Sequence, residues 1–161
     1  MNIKLVPELT AYNPKQVRAF YVTFKPITRT VFYRYPTINA TFVRFPKHRF
    51  EIYVARIEKR RYQLGSLYFQ VYGKYYNHFG FHNVEMPNID YGYVCLGQAV
   101  IRNSWQEVIE NSIELFWATR FEDNGAFPNG KLDAYGYSRT ESRKSKQIKN
   151  EKEFENSWDL P

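Results

Sequence analysis

The sequence predicts a single α+β domain in which an antiparallel β-meander packs against one helix. Between residues 17 and 74, apolar and polar residues alternate at the two-residue period of strands. Aromatic residues, which favour strands, make up 19% of the chain. Only one convincing helical pattern follows, at 104–120. A length of 161 residues is enough for one hydrophobic core and too short for two full domains with a linker.

The strand predictions rest on alternation and on breaks at proline or glycine. Residues 26–28 read as a tight connection that joins the first two strands in a hairpin. A charged turn, from Glu58 to Arg61, separates two longer strands. The predicted strands are 17–25, 30–35, 41–45, 49–57 and 63–74.

The amino-acid composition changes after the last predicted strand. Asn, Asp, Gly and Pro crowd into residues 77–92, which predicts an ordered loop of the kind that often holds a site. Ser104 followed by Glu107 forms a capping box at the start of the helix. We place the domain at 1–137 and interpret 138–161 as a basic, largely polar C-terminal tail, because it has few apolar residues.

Composition excludes several classes of protein. The single cysteine rules out an internal disulfide and a zinc site built from several thiolates. Three histidines without a helical pairing predict no metal site, and we expect no cofactor. No run reaches the roughly 18 apolar residues of a membrane helix. With no apolar signal core at the N-terminus, we expect a cytoplasmic protein that does not contact a membrane.

The single cysteine, Cys95, follows the polar loop and comes shortly before Gly97, so partial exposure is expected. A cysteine that performs acyl transfer needs a polar donor to stabilise charge on the acyl oxygen. Asn88 lies close upstream and its side-chain amide is a candidate donor. Asp90 is a candidate for orienting or deprotonating an attacking amine. No histidine follows within ten residues, so no local thiol–imidazole pair exists.

These residues resemble the active-site pattern of ubiquitin-conjugating enzymes. The usual family form is His-Pro-Asn-Ile, then Gly-x-Ile-Cys-Leu, then a downstream Trp. Met86 stands here where the family has His. The variant looks most similar to bacterial members such as the PRTRC-type protein B branch. The matching residues are Pro87, Asn88, Ile89, Gly92, Val94, Cys95, Leu96 and Trp105.

The resemblance implies a bacterial or phage protein with the fold of ubiquitin-conjugating enzymes. It implies that Cys95 accepts a ubiquitin-like modifier as a thioester and passes it to an amine, with Asn88 as oxyanion donor and Asp90 in a supporting catalytic role. The implied partners are a ubiquitin-like protein and an adenylating activating enzyme. We assign partner-binding roles to Trp105 and to the basic turn residues Lys59, Arg60 and Arg61.

Simpler interpretations stay open for each residue. Cys95 alone would usually be a small buried hydrophobe. Asn88 and Asp90 also suit a turn, and Trp105 also suits a core anchor at the start of the helix. Basic clusters are most often solvated.

Two other functions remain. The first is a catalytically inactive adaptor with the same fold, which a fully buried Cys95 would favour. The second is a basic β-rich protein that binds nucleic acid, suggested by a net charge of +7 and the many aromatics. The charge also suits an acidic protein partner.

Overall fold

The computed structural model describes residues 1–9, 16–34, 38–75, 77–83, 89–90, 92–118, 121–122, 130–131 and 146–147, of which 30–34, 38–44, 75, 121–122, 130–131 and 146–147 are described by their backbone alone. One helix, α1 (Trp105–Ala118), occurs in these ranges. The strands are β1 (Asn2–Leu5), β2 (Val17–Phe24), β3 (Ile27–Arg34), β4 (Ile38–Phe45), β5 (His48–Glu58), β6 (Arg61–Tyr75), β7 (His78–Asn83), β8 (Ile89–Asp90), β9 (Tyr93–Val94), β10 (Ile101–Arg102), β11 (Phe121–Glu122), β12 (Gly130–Lys131) and β13 (Lys146–Gln147).

The main sheet is antiparallel and is built around β5 and β6. Its strand order is β13-β1-β2-β5-β6-β9-β8. The free side of β6 is shared by three short strands, because β10 pairs with its start, β9 with its middle and β7 with its second half. A mostly antiparallel sheet with one helix confirms the predicted α+β class.

The predicted hairpin at residues 26–28 is wrong. β2 pairs with β1 on one side and with β5 on the other, so it has no free edge left for β3. β3 instead pairs with β4 in a second sheet, whose outer strands β11 and β12 add in parallel. The reason is burial: Arg18 to Val22 are buried at every position, so β2 is a central strand.

The loop predicted over 77–92 is also partly wrong. Residues 78–83 form β7, which pairs with β6 over six positions. Gly80 pairs directly with Gly73 of β6. The glycine that suggested a loop is therefore part of a cross-strand pair in which neither residue has a side chain. His78 and His82, which fall within the predicted loop 77–92, are therefore strand residues.

The helix covers one face of the sheet. The amide of Glu107 donates to the Ser104 hydroxyl at 3.2 Å, which confirms the predicted cap. Phe116 packs edge-on against Phe50 at 5.0 Å and stacks on Phe69 at 5.1 Å. The core residues of α1 are Trp105, Val108, Ile109, Ser112, Ile113 and Phe116.

The opposite face of the sheet is partly covered too. Val6 and Leu9 pack on Ala19 and Tyr21 in a smaller apolar cluster. The segment predicted as a tail contributes β13, which pairs with β1 through Lys146 and Gln147. Other residues of 138–161 lie outside the described ranges. Within those ranges, no helix combines the length and apolarity needed to cross a membrane.

Candidate functional site

Cys95 directly follows a short hairpin made by β8 and β9. Ile89 pairs with Val94 and Asp90 with Tyr93. Gly92 lies in the connection with φ at 83°, a backbone region in which a side chain is strained. The thiol of Cys95 is free and its residue is exposed. An exposed cysteine is unusual, because unpaired cysteines are among the most buried residues.

The backbone on both sides of this thiol is fixed by the core. Val94 is buried before it and Leu96 packs on the core after it. The amide of Phe69 donates to the Gly92 carbonyl at 2.8 Å, and the amide of Leu64 donates to the Val100 carbonyl at 2.9 Å. The Cys95 thiol is therefore presented to solvent from a chain segment that is tied to β6 at two points.

Asp90 and Tyr93 form the exposed side of the hairpin, and the exposed Cys95 follows the hairpin directly. Burial alternates along β8 and β9, with Ile89 and Val94 inward and Asp90 and Tyr93 outward. Residues directly opposite on antiparallel strands point to the same side. Asp90 therefore lies opposite Tyr93 on the exposed side of the hairpin, and Cys95 is the exposed residue that comes directly after it.

Tyr93 is a feature that the sequence reasoning missed. It is 46% exposed and contacts Tyr68 edge-on at 5.6 Å. Tyr68 in turn contacts Tyr53 at 6.1 Å. A row of three tyrosines thus leads across the sheet to the hairpin. The alternation of exposed Tyr93, buried Val94 and exposed Cys95 is the sequence pattern that could have indicated it.

Asn88, the candidate oxyanion donor, lies outside the described residues. Ile89, which follows Asn88, pairs with Val94, which precedes Cys95.

Trp105 corrects one assignment. It is 2% exposed and stacks on Phe20 at 5.0 Å with the rings nearly parallel. Its side chain offers no surface to a partner, so the partner-binding role is replaced by the core-anchor interpretation. The first residue of α1 is thereby tied to β2.

The basic turn is exposed, as a partner-binding surface requires. Lys59, Arg60 and Arg61 are all exposed at the β5–β6 turn, and Arg60 has φ at 60°. Arg61 lies 3.6 Å from the Glu58 carboxylate, an exposed pair worth little in stability. β9 runs antiparallel to β6, so Cys95 lies on the side of Tyr68 that is nearer to this turn.

The histidines lie away from the thiol. His48 and His82 both pair with Val71, three residues along β6 from the Tyr68–Tyr93 pair, about 10 Å away. Both are fully buried. No group of metal-binding side chains occurs among the described residues. Within that part of the chain, Cys95 therefore has no histidine beside it.

His48 has a strongly perturbed environment. Its Nδ1 donates to the Pro46 carbonyl at 2.7 Å, while its buried Nε2 finds no hydrogen-bond partner among the described residues. Burial lowers the pKa of His48; the bond to Pro46 opposes this, and the positive charge of Arg29 adds to the lowering. Nε2 is consequently best accommodated as the neutral, unprotonated atom.

A buried polar network supports the hairpin from behind. Gln70 accepts from Arg49 Nε at 2.7 Å and donates to Glu51 Oε2 at 3.2 Å and to Asn83 Oδ1 at 3.0 Å. Asn83 lies against Gly92, where a Cβ would stand 2.6 Å from its Oδ1. The network links β5, β6 and β7 to the turn that precedes Cys95. The register of β5, β6 and β7 brings these polar residues together, and no local sequence pattern indicates it.

Comparison of the chain with protein-family profiles, with curated proteins and with solved structures gives no match.

Proposed function

We propose that this protein conjugates a ubiquitin-like modifier, with Cys95 as the residue that carries it. The observation that supports this most is the exposed Cys95 thiol on a hairpin whose flanking residues are anchored in the core. A nucleophile needs both properties, since the substrate must reach the sulfur and the sulfur must stay in place. An inactive adaptor, the alternative, has no need of an exposed thiol.

The reaction proceeds in two acyl transfers. The Cys95 thiolate attacks the thioester carbonyl at the modifier's C-terminus, a C–S bond to Cys95 forms, the C–S bond to the activating enzyme's cysteine breaks, and that cysteine leaves as a thiolate. The target amine then attacks the Cys95 thioester. A C–N bond forms, the C–S bond breaks, the amine loses one proton and Cys95 returns to its thiol form.

Asn88 and Asp90 are proposed to assist each step. The Asn88 amide donates a hydrogen bond to the oxygen that becomes negative in the tetrahedral intermediate. Asp90 is exposed on the hairpin that directly precedes Cys95 and orients the attacking amine, whose proton a carboxylate can accept. The charge-stabilising role carries the larger rate effect of the two, about 10²–10³-fold for one oxyanion donor.

The proposed partners are an adenylating activating enzyme and the modifier itself. Lys59, Arg60 and Arg61 form an exposed cationic turn on the Cys95 side of Tyr68. Such a turn speeds encounter with an acidic partner and contributes less to final affinity. Neither acyl transfer requires a cofactor on this chain.

Single-turnover discharge tests the proposal. The parent protein and the variants Cys95→Ala, Asn88→Ala and Asp90→Asn are incubated with a ubiquitin-like protein that carries a small C-terminal thioester, then chased with free lysine. We expect no adduct for Cys95→Ala, a discharge slowed about 100-fold or more for Asn88→Ala, and a smaller defect for Asp90→Asn. Tyr93→Phe, which keeps the ring on the same exposed side, is the matched control. If the parent protein forms no reductant-sensitive adduct, the proposal is contradicted and the inactive-adaptor alternative is favoured.

A further inference from the structure

A second exposed surface lies on the same sheet, at the end away from the basic turn. It is formed by Lys47, Tyr72, Lys74, Phe79 and Phe81, which we call the aromatic–lysine strip. Tyr72 pairs with Phe81 across β6 and β7, and Lys74 pairs with Phe79. These residues alternate with Val71 and His82, which face the core, so all of them lie on the face opposite α1.

Two of the three rings of the strip, those of Tyr72 and Phe79, are open to solvent. Phe79 is 66% exposed and Tyr72 is 40% exposed, although both are large and apolar. Tyr72 contacts Phe81 edge-on at 5.3 Å. Successive rows on one face of a strand are about 6.8 Å apart, so the strip presents two neighbouring rows of rings.

Cations accompany each ring. The Lys47 ammonium lies 5.1 Å from the Tyr72 ring and 5.6 Å from the Phe81 ring, and the Lys74 ammonium lies 5.9 Å from Phe79. β6 and β7 contain no acidic residue in their sequences. Exposed rings are therefore combined with positive charge that no carboxylate on these two strands offsets.

This combination distinguishes between two kinds of partner. Protein interfaces are enriched in aromatic residues but depleted in lysine. Surfaces that bind single-stranded nucleic acid combine the two, because bases stack on the rings while cations contact the phosphates. A net charge of +7 favours a polyanion further. We propose that the aromatic–lysine strip binds single-stranded nucleic acid, with bases on Tyr72 and Phe79 and phosphates on Lys47 and Lys74.

The strip is separate from the thiol. Tyr72 is four residues, about 13 Å, along β6 from Tyr68, which pairs with Tyr93. Nucleic-acid binding does not depend on Cys95 chemistry, so Cys95→Ala should bind like the parent protein. Conversely, Phe79→Ala should still form any Cys95 adduct. Failure of one proposal is thus distinguishable from failure of the other.

The test is fluorescence anisotropy of a labelled twelve-nucleotide oligo-dT with the full chain. Stacking of one base is worth about 1–3 kcal/mol, so Phe79→Ala should weaken binding by about 5- to 150-fold. Phe79→Tyr should restore binding, because it keeps the ring. Ile57→Ala, an exposed apolar position beside the basic turn, is the matched control and should bind like the parent.

Salt dependence tests the lysines. Two phosphate contacts predict a slope of about −1.4 in a plot of log K against log salt. Lys47→Ala should reduce this slope by about 0.7, whereas Lys59→Ala, the same charge change at the far turn, should leave it unchanged.

Four results would overturn the proposal. They are no binding of oligo-dT, equal losses from Lys47→Ala and Lys59→Ala, no effect of Phe79→Ala, or displacement of the labelled oligonucleotide by polyglutamate at a lower concentration than by unlabelled oligo-dT of equal charge. The last would identify an acidic protein as the partner.

Discussion

Replacing Gly92 by alanine tests how firmly the hairpin before Cys95 is held. With φ at 83°, an alanine here is strained by about 1–2 kcal/mol. Its Cβ would also stand 2.6 Å from Asn83 Oδ1 and 2.8 Å from Asn83 Cγ. Asn83 must then move, and it is one of the two hydrogen-bond acceptors of the buried Gln70 amide. Leaving that donor poorly satisfied costs about 1–3 kcal/mol.

The two costs add to a loss of about 2–5 kcal/mol in the free energy of unfolding for Gly92→Ala. Gly97→Ala provides a matched control. Gly97 has φ at 73°, but a Cβ there meets nothing within 4 Å. It should lose only the strain of about 1–2 kcal/mol.

Urea denaturation followed by tryptophan fluorescence measures both variants. A double-mutant cycle with Asn83→Ala isolates the contact, because that variant removes the two nearest atoms. In the Asn83→Ala background, the cost of Gly92→Ala should fall to about 1–2 kcal/mol. Equal losses for Gly92→Ala and Gly97→Ala, or the same Gly92→Ala cost in both backgrounds, would refute the reasoning.

Three further predictions concern the core and the helix. Burial lowers the pKa of His48 despite its bond to Pro46. As the pH drops below about 6.5, the unfolded chain therefore binds the proton before the folded protein does, and the free energy of unfolding should fall. Urea midpoints at pH 7.5 and 5.5 measure this fall; His48→Phe should lose the part of it that His48 causes, and the same fall in His48→Phe as in the parent would contradict the prediction. Trp105→Ala should lose about 3–5 kcal/mol of unfolding free energy and Tyr93→Ala, at an exposed position, about 0.5 or less; comparable losses in urea melts would reject the core-anchor role. Ser104→Ala should lose about 0.5–2 kcal/mol in the same melts, while Ser104→Asp should keep stability, and equal loss in both would argue against the cap.

The local elements of the fold were predictable. The alternation in β5 and β6 and the capping box at Ser104 are signals that nearby residues carry by themselves. Strand pairing is a property of distant residues. Nothing local indicates that β2 pairs with β5 and leaves β3 and β4 to a second sheet. β7 escaped prediction because its glycine pairs with a glycine of β6, a match that only the register reveals.

The candidate site was predictable in part. The motif located Cys95, and its position after a polar turn indicated the exposure that the structure has. Exposure of Tyr93 depends on which side of the sheet it faces, and burial of Trp105 depends on how α1 packs on β2. The aromatic–lysine strip is formed by the pairing of β6 with β7, so it could not be predicted without β7, which the sequence analysis assigned to a loop. Charge and aromatic content alone do not show which residues meet on that surface.

Intact-mass spectrometry at Cys95 tests the central claim most directly. The parent protein, Cys95→Ser and Cys95→Ala are incubated with a ubiquitin-like protein that carries a small C-terminal thioester. We predict that the parent gains the mass of one modifier acyl group, loses it on treatment with dithiothreitol, and yields a modified peptide that contains Cys95. Cys95→Ser should form at most an ester that resists the reductant, and Cys95→Ala should form nothing. A parent protein that gains no mass, or an adduct of equal yield in Cys95→Ala, would contradict the assignment of Cys95 as the nucleophile.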